Sequence, residues 1–181
     1  TPPVAEIPDN APNRTITIKS PLYEVKLDSK GGLATSWILL KNVYGEGSRQ
    51  HEKILYADGA NDENPKPLQL ISQRGLEQNP RLAPFRLTTP SDASLETFLN
   101  DRNYQISVPE DTIQINPGES KQIDFTLSDE SGFAVAKSFV FYGDSYMTDL
   151  GVKILRSGQP IPDAKLLIGP SVGDQSIVHH N

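Results

Sequence analysis

Very few side chains in this sequence have the type and spacing that catalysis requires. Hydrolysis by a side-chain nucleophile needs a base beside a serine, and histidine is the usual base. The chain has three histidines: His51 lies in the charged stretch 48–53, and His179 and His180 lie just before the last residue. The phosphate-binding spacing Gly-x-x-x-x-Gly-Lys does not occur. The sequence therefore predicts no catalytic residue and a protein that is not an enzyme.

Metal and cofactor sites have equally little support. Neighbouring residues of a strand point to opposite faces, so His179 and His180 would not share one ion without distortion. The absence of cysteine excludes disulfides and thiolate zinc sites. The acidic stretch 58–63 lacks the ligand spacing of a calcium loop. The remaining carboxylates concentrate in predicted turns, among them Glu110, Asp111, Asp129 and Glu130. We therefore predict no metal and no cofactor, and no binding residue is assigned.

Two side chains allow more than one interpretation. Trp37 could stack on a sugar, but its apolar neighbours favour packing in the core. Lys137 falls in the apolar register of its predicted strand, where a cation is out of place. It either extends its ammonium group to solvent, pairs with a buried acid, or marks a strand that leaves the core.

The composition favours a β protein that binds neither nucleic acid nor anionic lipid. Of the 181 residues, 36% are hydrophobic and 22% charged, and the 15 prolines and 13 glycines interrupt helices and punctuate strands. A net charge of −6 repels phosphate backbones and gains nothing from anionic headgroups. No apolar run approaches the roughly 18 residues of a membrane span.

Alternation with a period of two predicts strands along most of the chain. Residues 15–28 and 33–39 alternate on either side of the Gly31-Gly32 turn and predict a hairpin, since adjacent glycines adopt positive φ at no steric cost. Further strands are predicted at 54–56, 68–71, 104–108, 113–115, 123–127, 133–141, 150–154 and 165–168, with turns at 116–119 and 128–132. One short helix is predicted at 91–100, where Leu95, Phe98 and Leu99 have helical spacing after Pro90.

Strands at this spacing predict an all-β fold, an antiparallel β-sandwich with at most one or two short helices. Residues 1–14 are rich in proline and predict a semi-extended linker, with an ordered segment pinned to the domain as the alternative. Residues 15–181 form the predicted sandwich domain.

Two stretches resemble one protein family in their order and spacing. Residues 15–37 pass through two alternating runs and the Gly31-Gly32 turn to end at Trp37. Residues 132–146 lead from a glycine turn into a Lys-x-Phe-x-Phe strand and a closing tyrosine, and a Gly-Pro turn follows at 169–170. This pattern resembles the periplasmic domain of the YidC membrane-insertase family.

The resemblance implies a galactose-mutarotase-like β-supersandwich between a transmembrane helix and a helical insertase core. It implies a scaffold or docking surface without catalysis, on the periplasmic face of the inner membrane of a Gram-negative bacterium. The implied partners are Sec translocon accessory subunits or nascent membrane polypeptide, and the membrane tether lies in segments outside this chain. The family domain runs on after the Gly-Pro turn, so we expect the sandwich to be cut short near His180.

Two other functions fit a sandwich, because fold does not settle function. A carbohydrate-binding or mutarotase-like protein would use the same architecture, although a mutarotase needs an acid and a base facing a sugar. A structural or adhesive sandwich would pair through an exposed strand. A groove lined by unpaired backbone groups would favour binding of an extended peptide.

Overall fold

The computed structural model describes residues 11–44, 51–130, 132–169, 172, 173 and 175. Strands account for 48% of the described residues and helices for 8%, which confirms the predicted all-β class. The strands are β1 Thr15–Lys19, β2 Tyr23–Asp28, β3 Leu33–Leu39, β4 Lys41–Tyr44, β5 His51–Ile54, β6 Leu68–Gln69, β7 Arg86–Thr88, β8 Gln105–Ile106, β9 Thr112–Gln114, β10 Ser120–Ser128, β11 Phe133–Tyr142, β12 Thr148–Arg156, β13 Gln159–Pro160 and β14 Lys165–Leu167. The helices are α1 Gln73–Leu76 and α2 Ala93–Asp101.

Two five-stranded sheets form the body of the described chain. Sheet 1 has the order β6-β3-β2-β1-β9, and sheet 2 has the order β13-β12-β11-β10-β8. Neighbouring strands run antiparallel, except that β9 lies parallel to β1. Two small sheets pair β4 with β5 and β7 with β14. The predicted antiparallel sandwich is therefore confirmed, with one parallel pair at the edge of sheet 1.

The inward-facing side chains of both sheets form one apolar core. The alternation of β1 and β2 buries Ile16, Ile18 and Val25, while polar neighbours face out. In β11 every second residue is buried over its whole length, so this strand lies at the centre of sheet 2. Burial of aliphatic and aromatic surface of this size is the main stabilising contribution to such a sandwich.

Most of the predicted elements are present, with shifts at their ends. The helix predicted at 91–100 is α2, and its N-cap Asp92 accepts a hydrogen bond from the Leu95 amide at 2.9 Å. The strand predicted at 54–56 was misplaced, because β5 ends at Ile54. The strand predicted at 104–108 contains only two ladder residues, β8, although Tyr104 and Val108 are buried. Strands β4, β7 and β13 and helix α1 were not predicted.

The predicted linker is described only at its end. Residues 1–10 lie outside the described chain, so the boundary at residue 14 stays a prediction. Arg14 bonds the Asp111 carboxylate at 2.8 Å, and its amide donates to the Ser29 hydroxyl at 2.8 Å. Residues 11–14 are thus held against the domain.

The Gly31-Gly32 turn has the positive φ angles that its sequence predicted. Gly31 has φ 77° and Gly32 has φ 57°. A methyl group at Gly31 would lie 2.5 Å from the Asn100 carbonyl oxygen, which is well inside van der Waals contact. Glycine is required here both for its backbone conformation and for its lack of a side chain.

We expect Gly31→Ala to lower the free energy of unfolding by about 3 kcal/mol, because left-handed backbone strain adds to a clash with backbone. Gly59→Ala is the matched control: Gly59 has φ 72° and no atom within 4 Å of the added methyl group. The control should lose only the strain, about 1 kcal/mol. Urea unfolding monitored by Trp37 fluorescence measures both, and equal losses would contradict the close approach at Gly31.

Candidate functional site

The residues considered for catalysis do not come together. His51 is exposed at the start of β5, and His179 and His180 lie outside the described residues. Over the part of the chain that the structure describes, no three metal-ligating side chains gather in one place. The predictions about catalysis, metals and cofactors therefore stay predictions.

The acidic side chains of 58–63 lie in an exposed turn, as the sequence predicted. Asp62 accepts a hydrogen bond from the Tyr56 hydroxyl at 2.8 Å, and this bond is the main reason that the pKa of Tyr56 is raised. The side-chain oxygen of Asn61 accepts hydrogen bonds from the amides of Glu63 and Asn64 at 3.0 and 2.9 Å, and these bonds close the turn. These groups shape the loop.

One motif that we took to be absent from the sequence is present, and that interpretation was wrong. Residues 169–173 have the Gly-x-Ser-x-Gly spacing of a nucleophile elbow, with Ser171 at its centre. That motif requires a strand before the serine and a helix after it. Here Val172 pairs with Ile71 across a β-bridge and the Gly173 amide donates to Leu70 O at 2.9 Å, so these two residues lie against the segment after β6 and do not begin a helix. Ser171 itself lies outside the described residues.

Trp37 is part of an aromatic cluster at the edge of the core. Its ring centroid lies 6.0 Å from that of Phe141, 6.3 Å from that of Phe85 and 6.3 Å from that of Tyr23. Tilted and edge-on pairs at these separations contribute beyond the area they bury. Trp37 therefore packs against the core, as its apolar neighbours predicted, and does not form a platform for a sugar.

Lys137 is completely buried between the two sheets, at 0% exposure. Its Nζ donates to the carbonyl oxygens of Gly31 and Phe85 at 2.6 Å each, and to that of Gly32 at 3.3 Å. Nζ also lies 5.5 Å from the centroid of the Tyr104 ring. A side chain of β11 in sheet 2 therefore binds the hairpin turn of sheet 1 and the segment before β7.

None of the three readings of Lys137 was right. Its ammonium group does not reach solvent, and β11 stays in the core from end to end. Among the described residues no ion pair includes Lys137, since its partners are backbone carbonyls. Backbone acceptors brought together from distant segments leave no pattern in the sequence, which is why this arrangement could not be foreseen.

Burial lowers the pKa of Lys137 to about 7. The cause is desolvation, because a charged ammonium group loses its water and gains no carboxylate in return. The phenol of Tyr104 responds to the same environment: burial raises its pKa, and its hydroxyl donates to Leu99 O at 2.9 Å. The interior beside Lys137 thus disfavours charge of either sign.

An apolar groove of about 450 Å³ lies between β12 and β14. Its walls are mostly aliphatic, with Leu87 and Leu166 paired across β7 and β14 on one side and Val152 and Ile154 on the other. Of the inward side chains of β12, Leu150 and Val152 are only half-buried, whereas Ile154 and the inward side chains of β11 are buried. Part of the aliphatic core is therefore open to solvent along the groove.

The outer edge of β12 borders this groove and is largely unpaired. β13 covers only Leu155 and Arg156, and the Ile161 amide donates to Ile154 O at 3.2 Å. Since alternate residues of a strand direct their amide and carbonyl to the same side, Leu150 and Val152 share the outward direction of Ile154. Within the described part of the chain, no strand pairs with β12 at these two residues.

Lysines flank the aliphatic walls of the groove. Lys153 on β12 and Lys165 on β14 both line it. Lys153 is exposed, and the carboxylate nearest in sequence to Lys165, Asp163, accepts a hydrogen bond from the Ser91 amide. The groove therefore combines an apolar floor, unpaired backbone groups and positive charge at its rim.

We expect Lys137→Met to lower the free energy of unfolding by about 3 kcal/mol, because three buried carbonyls lose their donor while the chain keeps its apolar stem. Lys121→Met on the exposed face of β10 is the control and should change it by less than about 0.5 kcal/mol. Chemical denaturation at neutral pH measures both. A variant at Lys137 as stable as the parent chain would show that the carbonyl contacts contribute nothing.

Comparison with known proteins identifies the family. The YidC periplasmic domain family matches residues 15–161, which include both stretches that carried the resemblance. The membrane protein insertase YidC of Pelobacter propionicus is 25% identical over 151 residues, which cover 83% of this chain and 23% of that protein. The chain thus spans about a quarter of the length of this relative. Neither described helix has the length and apolar character of a membrane span. The chain belongs to the YidC periplasmic domain family.

Proposed function

We propose that this chain is a non-catalytic docking domain that binds an extended stretch of polypeptide in the groove beside β12. Membership of the family makes it an insertase-associated domain on the periplasmic side. One observation supports the binding of an extended chain: an edge of β12 that no other described strand pairs with at Leu150 and Val152 borders an apolar groove.

The geometry favours strand addition as the binding mode. A strand with a free edge offers amides and carbonyls to a second extended chain, and neighbouring pockets accept alternate side chains. The outward groups of Leu150 and Val152 supply the backbone partners, and the aliphatic walls supply the pockets. Helical or compact partners cannot use the backbone groups of an edge in this way.

The proposed occupant is a segment of nascent membrane polypeptide that has not yet folded. Apolar side chains at alternate positions would fill the groove, and acidic residues nearby would meet Lys153 and Lys165 at its rim. A Sec accessory subunit is the other partner implied by the resemblance, and it would have to present an extended edge of its own.

A role without chemistry is supported by the groove itself. Apart from the two lysines, its lining consists of aliphatic side chains and proline, which bind by burial rather than by proton transfer. We further propose that the domain works at the periplasmic face of the inner membrane, tethered through segments outside this chain; the periplasmic family and a relative named as a membrane protein insertase support this location.

We expect Val152→Glu to weaken binding of an extended peptide at least tenfold, because a carboxylate in the groove would be desolvated without a partner. The probe is a labelled ten-residue peptide with valine at alternate positions and two glutamates, titrated against the 181-residue chain by fluorescence anisotropy. Val140→Glu is the control, since Val140 lies on the outer face of β11, away from the groove. Equal affinity of both variants would exclude the groove as the site.

Peptides methylated on alternate backbone nitrogens test the mode of binding. If β12 gains a strand, methylation of the set of amides that faces β12 abolishes binding, and methylation of the other set does not. If both sets bind as the parent peptide does, the groove holds side chains without strand pairing. If the parent peptide does not bind, the proposed function is wrong.

A further inference from the structure

We propose that Lys137 makes the junction between the two sheets pH-sensitive above neutrality: proton uptake by its buried amine opens the junction at the Gly31-Gly32 turn and at Phe85. Opening of this junction is a conformational change that does not depend on peptide binding. Nζ is enclosed by three carbonyls and one aromatic ring.

Carbonyl oxygens surround Nζ, and among the described residues no carboxylate pairs with it. Two of the three carbonyl oxygens, those of Gly31 and Phe85, lie at 2.6 Å from Nζ, while that of Gly32 lies at 3.3 Å. A neutral amine has two hydrogens and can donate to the two nearer oxygens, whereas the ammonium form can donate to all three. The ammonium form also carries a full charge, and at this fully buried position the charge is out of contact with bulk solvent and has no counter-charge.

Other charges do not compensate for proton uptake. The charged side chains on the strands that pair with β11 and on the segments around its carbonyl and aromatic partners are Asp28, Lys30, Arg81, Arg86, Asp101, Arg102, Lys121, Asp124, Asp149, Lys153 and Arg156. Asp28 is bonded to Arg81 at 2.8 Å, and Arg86 lies 3.6 Å from Glu96. Asp124 accepts from the Gln122 side chain at 2.9 Å. The titratable group that faces Nζ directly is Tyr104, whose phenol is kept neutral by burial.

The segments that hold Nζ are suited to move. The Gly31-Gly32 turn has glycines at both positions of positive φ, so alternative backbone conformations are open to it. Phe85 has φ 72°, which is strained for a residue with a side chain, and opening would relieve this strain. Phe85 is followed by β7, whose Leu87 lines the groove, so opening also reaches one wall of the groove.

The sign of the pH dependence follows from linkage. Burial lowers the pKa of Lys137 to about 7 in the closed junction, whereas hydration in the open junction returns it toward the usual lysine value of about 10.4. Between these values the open state binds one more proton than the closed state. Acidification through this range therefore favours opening, and below about pH 7 both states are protonated and the preference levels off.

Amide hydrogen exchange of the 181-residue chain between about pH 6 and pH 9 tests the proposal. The reporters are the amides of Gly31 and Gly32, which donate to Arg102 O at 2.8 Å and Ser29 O at 3.2 Å. After correction for intrinsic exchange, their protection should be flat below about pH 7 and rise about tenfold per pH unit above it. The Thr17 amide, bonded to Asp111 O at 2.8 Å at the far edge of sheet 1, is the control and should stay unchanged.

Lys137→Met should abolish the pH dependence at Gly31 and Gly32. Direct titration of the Lys137 Cε resonance in the parent chain gives an answer even if that variant does not fold: a midpoint near neutrality supports the proposal. A midpoint above about pH 10, the same slope in Lys137→Met, or an equal rise at Thr17 would overturn it, the last because it indicates unfolding of the whole domain.

Discussion

The rest of this structure depends on the hydrogen bonds that Lys137, on sheet 2, donates to backbone carbonyls on the other side of the sandwich. Burying an amine costs free energy that only well-placed acceptors offset. Those acceptors exist because two glycines turn the first hairpin tightly and because Phe85 adopts an unusual backbone conformation. The contact joins the two stretches by which the family was recognised, the Gly-Gly turn and the Lys-x-Phe-x-Phe strand.

The same constraint determines what sheet 2 presents to solvent. Lys137 holds β11, and β11 pairs with β10 along one edge and with β12 along the other. β12 in turn has a short partner, β13, at one end. In the described part of the chain no strand pairs with its outer edge at Leu150 and Val152, and Val152 lines the groove. Edge strands are usually protected by charges or bulges, and Lys153 provides one such charge beside the aliphatic groove. A free edge held rigidly by its neighbour is suited to receive an extended chain.

The sequence was sufficient for the elements in which local pattern and final environment agree. Alternation in β1, β2, β10 and β11 predicted strands because one face of each is buried and the other is not. It failed where pairing is decided by distant residues: β7 forms because 165–167 reach it, and β13 is two residues long. The groove is built from these elements, and Lys137 binds carbonyls that no side-chain pattern reports. The family resemblance predicted the function in more detail than the individual residues did.

The central claim is that the outer edge of β12 receives an extended polypeptide. Amide hydrogen exchange of the 181-residue chain with and without saturating peptide tests it most directly, with each amide resolved by NMR. We expect binding to slow exchange at Leu150 and Val152 and to leave the outward amides of β9, the edge strand of sheet 1, as they were. Protection at β9, or none at β12 while the peptide is bound, would contradict it.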